Sequence, residues 1–169
     1  MIRHKFSNQK GSMMIEVIVA TAIITIAVLS ATGVAQKSVS IARQSTQNIK
    51  AGILLEEGAE VVRITRDFDW ANISGLTIGA TYYPFFQTTV LVPTNPQGIW
   101  TLSSTPNTVD GFTRTVVFSA VNRDADTGDI VTSGGKNDPG TRLATVTVTW
   151  NVGAAVQTKS LSFYITDLF

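Results

Sequence analysis

Apolar and polar positions divide the chain into two regimes. From Ser12 to Ala35 the residues are apolar or small, and Glu16 is the only formal charge between Lys10 and Lys37. These 24 residues would extend about 36 Å as a helix at 1.5 Å per residue. That exceeds the ~30 Å hydrocarbon core, so the stretch is long enough to cross a membrane with some tilt. No proline occurs before Pro84, and Val39, Ala42, Ile49, Ile53, Val61 and Ile64 recur at gaps near multiples of three and four. Such spacing predicts that the helix continues as an amphipathic stripe. Gly33, Gly52 and Gly58 each weaken a helix by up to ~1 kcal/mol relative to alanine. Gly33 lies where the apolar and polar halves meet and fits either a local bend or a close packing contact. A helix from Ser12 to about Thr65 would be about 80 Å long, which predicts that its first half projects as a stalk.

After Asp67 the period changes. "QTTVLV", "FTRTVVFSAV", "RLATVTVTW" and "QTKSLSFYI" are β-branched or aromatic runs bounded by Gly, Pro, Asn and Asp, the composition of strands. Within "TVTVTW", Val146, Val148 and Trp150 alternate with Thr145, Thr147 and Thr149, and the valines are the natural inward set. "NVGAA" reads as a hairpin connection, after which Leu161, Phe163 and Ile165 would cover the helix. The expected class is α+β: a long N-terminal helix whose second half packs on a small antiparallel sheet of three to five strands. The segments are 12–35 apolar, 36–66 amphipathic and 67–169 β-rich.

Charge alters this picture in one respect. Thirteen basic residues against twelve acids give a net charge of +1, so bulk charge suggests no nucleic-acid partner. Arg3, Lys5 and Lys10 precede the apolar run, so removal of residues 1–11 leaves ten basic residues against twelve acids. The basic bias belongs to the leader. Its position places the N-terminus in the cytoplasm and everything after Lys37 outside. The run is too long for a signal-peptide core and no A-x-A-like site follows it. Its Ala20, Ala22, Ala27, Ala31 and Gly33 suit close helix packing.

"KGSMMIE" (Lys10 to Glu16) resembles the cleavage and methylation signature of type IV prepilins and pseudopilins. That signature is a short basic leader, a glycine, then an apolar helix with glutamate at its fifth position. Counted from Gly11–Ser12, Glu16 occupies the fifth place. Many members have phenylalanine after the glycine; this chain has Ser12. The resemblance implies cleavage between Gly11 and Ser12 by a prepilin peptidase, N-methylation of Ser12, and a leader at 1–11. It further implies a filament subunit, a minor pilin or pseudopilin more than a major pilin. Implied partners are other pilin-like subunits through helix packing, an inner-membrane assembly platform, and membrane lipid before assembly. Adhesion, motility, DNA uptake and protein secretion are the roles such filaments serve. Glu16 would then meet the freed α-amine of Ser12, within the subunit or on a neighbour. A carboxylate at that depth costs about 2.5–3.5 kcal/mol on insertion scales, so it needs such a reason. The competing reading is a single-pass anchored binding domain that keeps its leader.

Candidate chemistry in the remainder is sparse. The only histidine is His4, in the leader, and there is no cysteine. That excludes a disulfide framework, a thiol metal site and a histidine-based triad in the body of the chain. No phosphate-binding loop appears, and no enzyme activity is expected. "NRDADTGDIVTSGGKNDPG" sets Asp124, Asp126 and Asp129 around a Thr127–Gly128 turn. This pattern supplies oxygen ligands for calcium, as some pseudopilins do in this region, or simply turn geometry. The twelfth place, where an EF-hand has glutamate, holds Gly135. "YYPFF" (Tyr82 to Phe86) is expected over the helix–sheet junction. "PTNPQGIWTLSSTPNTVDG" is expected as an irregular surface excursion anchored by Trp100.

Overall fold

The computed structural model describes residues 9–89 and 97–168. The protein is α+β, with a long N-terminal helix and an antiparallel sheet. The chain divides into two compact units, residues 1–46 and 47–169. Helix α1 (Gln9–Phe68) makes up the described part of the first unit and supplies the helix of the second. It passes through Gly33 without interruption, and nothing lies within 4 Å of where a β-carbon would stand there. A four-residue helix, α2 (Ala71–Ser74), follows and buries Ile73.

Seven strands follow among the described residues: β1 (Thr81–Thr89), β2 (Gln97–Ser103), β3 (Thr108–Val109), β4 (Phe112–Arg123), β5 (Ile130–Val131), β6 (Lys136–Val152) and β7 (Ala155–Thr166). The main order is β2-β1-β4-β6-β7, with β3 and β5 also paired to β4. Every pairing among the described residues is antiparallel. A two-residue turn joins β6 to β7 with Val152 opposite Ala155. Gly153 there has φ of +62°, a conformation glycine adopts without steric cost and the one that matches strand twist in such hairpins.

Alternation along β6 follows the expected set. Val146, Val148 and Trp150 are buried, while Thr145, Thr147 and Thr149 face the other side. On that side Thr145 meets Ser162 at 2.9 Å and Thr147 meets Ser160 at 3.0 Å. These hydroxyl pairs join β6 to its neighbour β7 across the sheet's polar surface. Of the covering set expected on β7, Ile165 is buried, Phe163 half-buried and Leu161 exposed.

The described strands number seven where the pattern predicts three to five, the two-residue β3 and β5 adding to a five-strand path; two further expectations are corrected. The first is the helix stripe. The face of α1 that meets the sheet carries Ala51, Leu54, Leu55, Gly58, Val62 and Thr65. Of the expected stripe only Val61 is buried; Ile49 and Ile53 are 62% and 59% exposed. At 100° per residue these isoleucines stand roughly opposite Ala51 and Val62. The reason is size. A helix approaches a sheet most closely with small residues, and a β-carbon on Gly58 would stand 2.7 Å from Val146 Cγ1. The second correction is the excursion after β1. Gln97–Ser103 is a regular strand that pairs with β1 from Thr89↔Gln97 to Tyr83↔Ser103. Gly98 is what makes it fit, because the Phe86 ring occupies the space its β-carbon would take. Residues 90–96, which include the end of "QTTVLV", lie outside the described residues.

Candidate functional site

Residues 13–46 of α1 are exposed throughout, and they contain all of the apolar run but Ser12. α1 is long and apolar enough to cross a membrane by length and composition. Polar side chains in the run would be costly in hydrocarbon unless satisfied by the helix itself. Thr21 Oγ1 donates to the Val17 carbonyl at 2.9 Å, Thr25 to Thr21 at 2.7 Å, and Ser30 to Ile26 at 2.8 Å. Thr32 and Ser38 do the same to Leu29 and Val34 at 2.9 Å each. The hydroxyls are therefore self-contained.

Glu16 is the exception. Its side chain is exposed beside Ile15, Val19, Ala20 and Ile23, and it has no hydrogen bond or ion pair among the described residues. Gly11 and Ser12 lie in the first turns of α1, so Ser12 and Glu16 are one helical turn apart. Residues 1–8, and with them most of the leader and His4, lie outside the described residues.

The aspartates of the Asn122–Gly140 segment have definite duties. Asp124 Oδ1 accepts from the backbone N–H of Asp126 at 2.9 Å and of Thr127 at 3.0 Å. The Thr127 N–H, then that of Asp126, holds the Asp124 carboxyl below its ordinary pKa. The Gly128 N–H closes the turn on the Asp124 carbonyl, with φ of +77° at the glycine. Asp124 is thus the acceptor of an Asx turn. Asp126 and Asp129 give only their backbones to this turn. Among the described residues no three acidic or imidazole groups are gathered as a metal ion would require.

Asp138 has the richer setting. Its Oδ2 accepts from Thr141 Oγ1 and from Arg123 Nε, both at 2.6 Å, and its Oδ1 from the Gly140 N–H at 3.0 Å. The Thr141 hydroxyl, then Arg123, holds this carboxyl below its ordinary pKa. Between Ala120 and Val121 the β4–β6 register jumps from Arg142 to Asp138, which leaves Pro139, Gly140 and Thr141 as a bulge. Asp138 pins that bulge.

One further constellation lies on the inward side of β4. Arg114 stands at an inward place in "FTRTVVF" and is almost fully buried. Its Nη1 is 2.9 Å from Glu57 Oε2, an ion pair without hydrogen-bond alignment. Its guanidinium sits 5.5 Å from the Trp100 ring centre, and its stem packs across Gly58. An arginine at an inward strand position is the signal the sequence offers; its match with Glu57 and Gly58 on the helix appears only in the fold. Glu56 and Glu60 remain exposed, and Arg63 bonds Glu60 at 3.2 Å, as i,i+3 spacing predicts.

The "YYPFF" run divides along its length, its first half partly buried and its last two rings exposed. Tyr82 packs 6.3 Å from Phe118 and its hydroxyl accepts from the Thr77 N–H, whereas Phe85 and Phe86 are exposed and Phe86 meets Trp100 edge-on at 5.1 Å. Trp100 is half-buried, as its anchoring place predicts. No protein-family model, curated protein or solved structure matches the chain.

Proposed function

We propose that this chain is a structural, pilin-like subunit of a filament of the type IV pilus or type II secretion kind. In this reading a prepilin peptidase cleaves after Gly11, Ser12 becomes the methylated N-terminus, and α1 packs with the helices of other pilin-like subunits. The single observation that carries it is Glu16, a carboxylate with no partner among the described residues in an apolar run whose hydroxyls from Thr21 to Thr32 bond to the helix itself. A chain meant only for anchorage gains nothing from that group. A subunit whose cleavage creates an α-amine one turn away gains an ion pair, and a buried pair is costly to break by removing one member, at about 3–5 kcal/mol. Pairing would therefore favour one axial register between neighbours.

The outward apolar residues Ile49 and Ile53 support the same reading, because they offer helix surface beyond the length that lipid would cover. Before assembly the subunit would reside in the cytoplasmic membrane with an extracytoplasmic β-rich unit, held for the assembly platform. The test is mass spectrometry of the purified membrane protein together with filament recovery from Glu16→Ala. A chain that begins at Ser12 is expected, with the variant abundant in membranes but poorly incorporated. A chain that begins at Met1, or normal incorporation of the variant, would instead leave a single-pass anchored domain.

A further inference from the structure

The unit formed by residues 47–169 has an apolar cleft at one end. About 370 Å³ of space lies between the last turns of α1 and β2, lined by Ile64, Phe68, Leu76, Ile99, Trp100 and Leu102. Phe68 is 79% exposed and Ile99 45%, more than a monomer gains from. At the other end of the same unit the β6–β7 hairpin carries Gly153, Ala154, Ala155 and Val156, all exposed, with Val156 at 67%. That this is the opposite end follows from the packing. Trp150 pairs with Phe112 in the sheet, and Phe112 lies beside Lys50 near the start of this part of α1. The fourteen residues from Lys50 to Ile64 cover about 21 Å of helix.

Charge separates along the same direction. Asp67, Asp69 and Asp167 stand beside Phe68 at the cleft end, and the Asp124–Asp138 stretch joins the ends of β4 and β6 that point the same way. Asp67 and Asp69 end α1 beside Asp167, whose N–H bonds the Gly140 carbonyl next to Asp138, and Asp138 meets Arg123 at the root of the Asp124–Asp129 turn. Four bases, Arg66, Arg123, Lys136 and Arg142, share that end. The hairpin end has Lys50, 3.5 Å from Asp110, and Lys159, whose ammonium donates to the uncharged Asn48 carbonyl at 3.1 Å, its charge uncompensated by a carboxylate there among the described residues.

We infer that the cleft is a docking site for the β6–β7 hairpin of a second copy of this chain, Ala155 and Val156 entering it and Lys159 meeting the acidic surround. The apolar cleft is the site; the charge separation selects the occupant, because it sets unlike ends of two copies against each other. The contact is heterologous. It uses two different patches, so repetition gives an open assembly rather than a closed dimer. It rests on the filament reading and adds a second, head-to-tail contact between β-rich units.

The chain has no cysteine, so introduced thiols report alone. The full chain in membranes is treated with a short bis-maleimide as Ile99→Cys, Val156→Cys and the double variant. Phe68→Cys with Ala155→Cys serves as a second pair, and tryptophan fluorescence confirms the fold. Expected is a ladder of dimers, trimers and larger species in the double variants only, reduced several-fold by high salt. No ladder in either double variant, a ladder indifferent to salt, or dimers from a single variant would overturn the contact. The N-terminus and sedimenting polymer are measured on the same samples. Polymer that begins at Ser12 without a ladder overturns this contact and leaves the filament reading standing. Monomers that keep Met1 overturn both.

Discussion

Two glycines on one helix illustrate how position decides what a residue does. Gly52 has open space where a β-carbon would stand, whereas at Gly58 that atom would meet Val146 Cγ1 at 2.7 Å and Arg114 Cδ at 3.1 Å. Gly52→Ala should therefore stabilise the protein by up to about 1 kcal/mol through helix propensity. Gly58→Ala should destabilise it by about 1–3 kcal/mol, overpacking outweighing the same gain. Denaturation in detergent, followed by the fluorescence of Trp70, Trp100 and Trp150, reads both with opposite signs. Asp138 supplies the pH-dependent member. Its folded pKa is depressed by Thr141 and Arg123, so its contribution is present above the ordinary carboxylate range of about 4 and is lost as pH falls through the lower folded value. Asp138→Asn should lower stability at neutral pH, and the gap from the parent protein should close on acidification. A gap that stayed constant with pH would disprove the assignment.

At the scale of elements, the register of α1 on the sheet is set by fit. Glu57, Gly58 and Ala59 present, in turn, an ion-pair partner for Arg114, a space for its stem, and a small buried contact. Removing the carboxylate leaves a buried guanidinium without its counter-charge. Glu57→Gln should cost about 1–3 kcal/mol, and adding Arg114→Met should recover part of that loss. A double-mutant cycle on the same melts measures the coupling, and strictly additive losses would mean that the pair does not set the register. The amphipathic pattern of residues 39–64 was legible as a helix, yet its strongest stripe pointed to the wrong face. α1 is apolar on two sides, and large isoleucines outweigh alanine and glycine in any hydrophobic reading. The Gln97–Ser103 strand was hidden for a related reason: Gly98 and the preceding prolines signal a loop, and only the Phe86 ring across the pair shows what the missing side chain is for.

For the whole molecule, the outward isoleucines separate stability from assembly. Ile49→Ser and Ile53→Ser alter exposed positions, so denaturation midpoints should move by no more than about 0.5 kcal/mol. Recovery in filaments should nevertheless drop, as measured by sedimentation of sheared material. If recovery held while the midpoint fell, the residues would belong to the fold and not to subunit contact.

By itself the sequence determined the long apolar helix, the isolated Glu16, the inward valines of β6 and the hairpin at Gly153, because each follows from local periodicity, charge or turn chemistry that neighbours in space do not revise. Tertiary structure alone decided which face of α1 meets the sheet, why Gly58 and Gly98 are glycines, and that Arg114 is buried against Glu57. Those depend on how closely two surfaces approach. Close approach is a property of pairs of elements far apart in the chain, and no single stretch of residues encodes it.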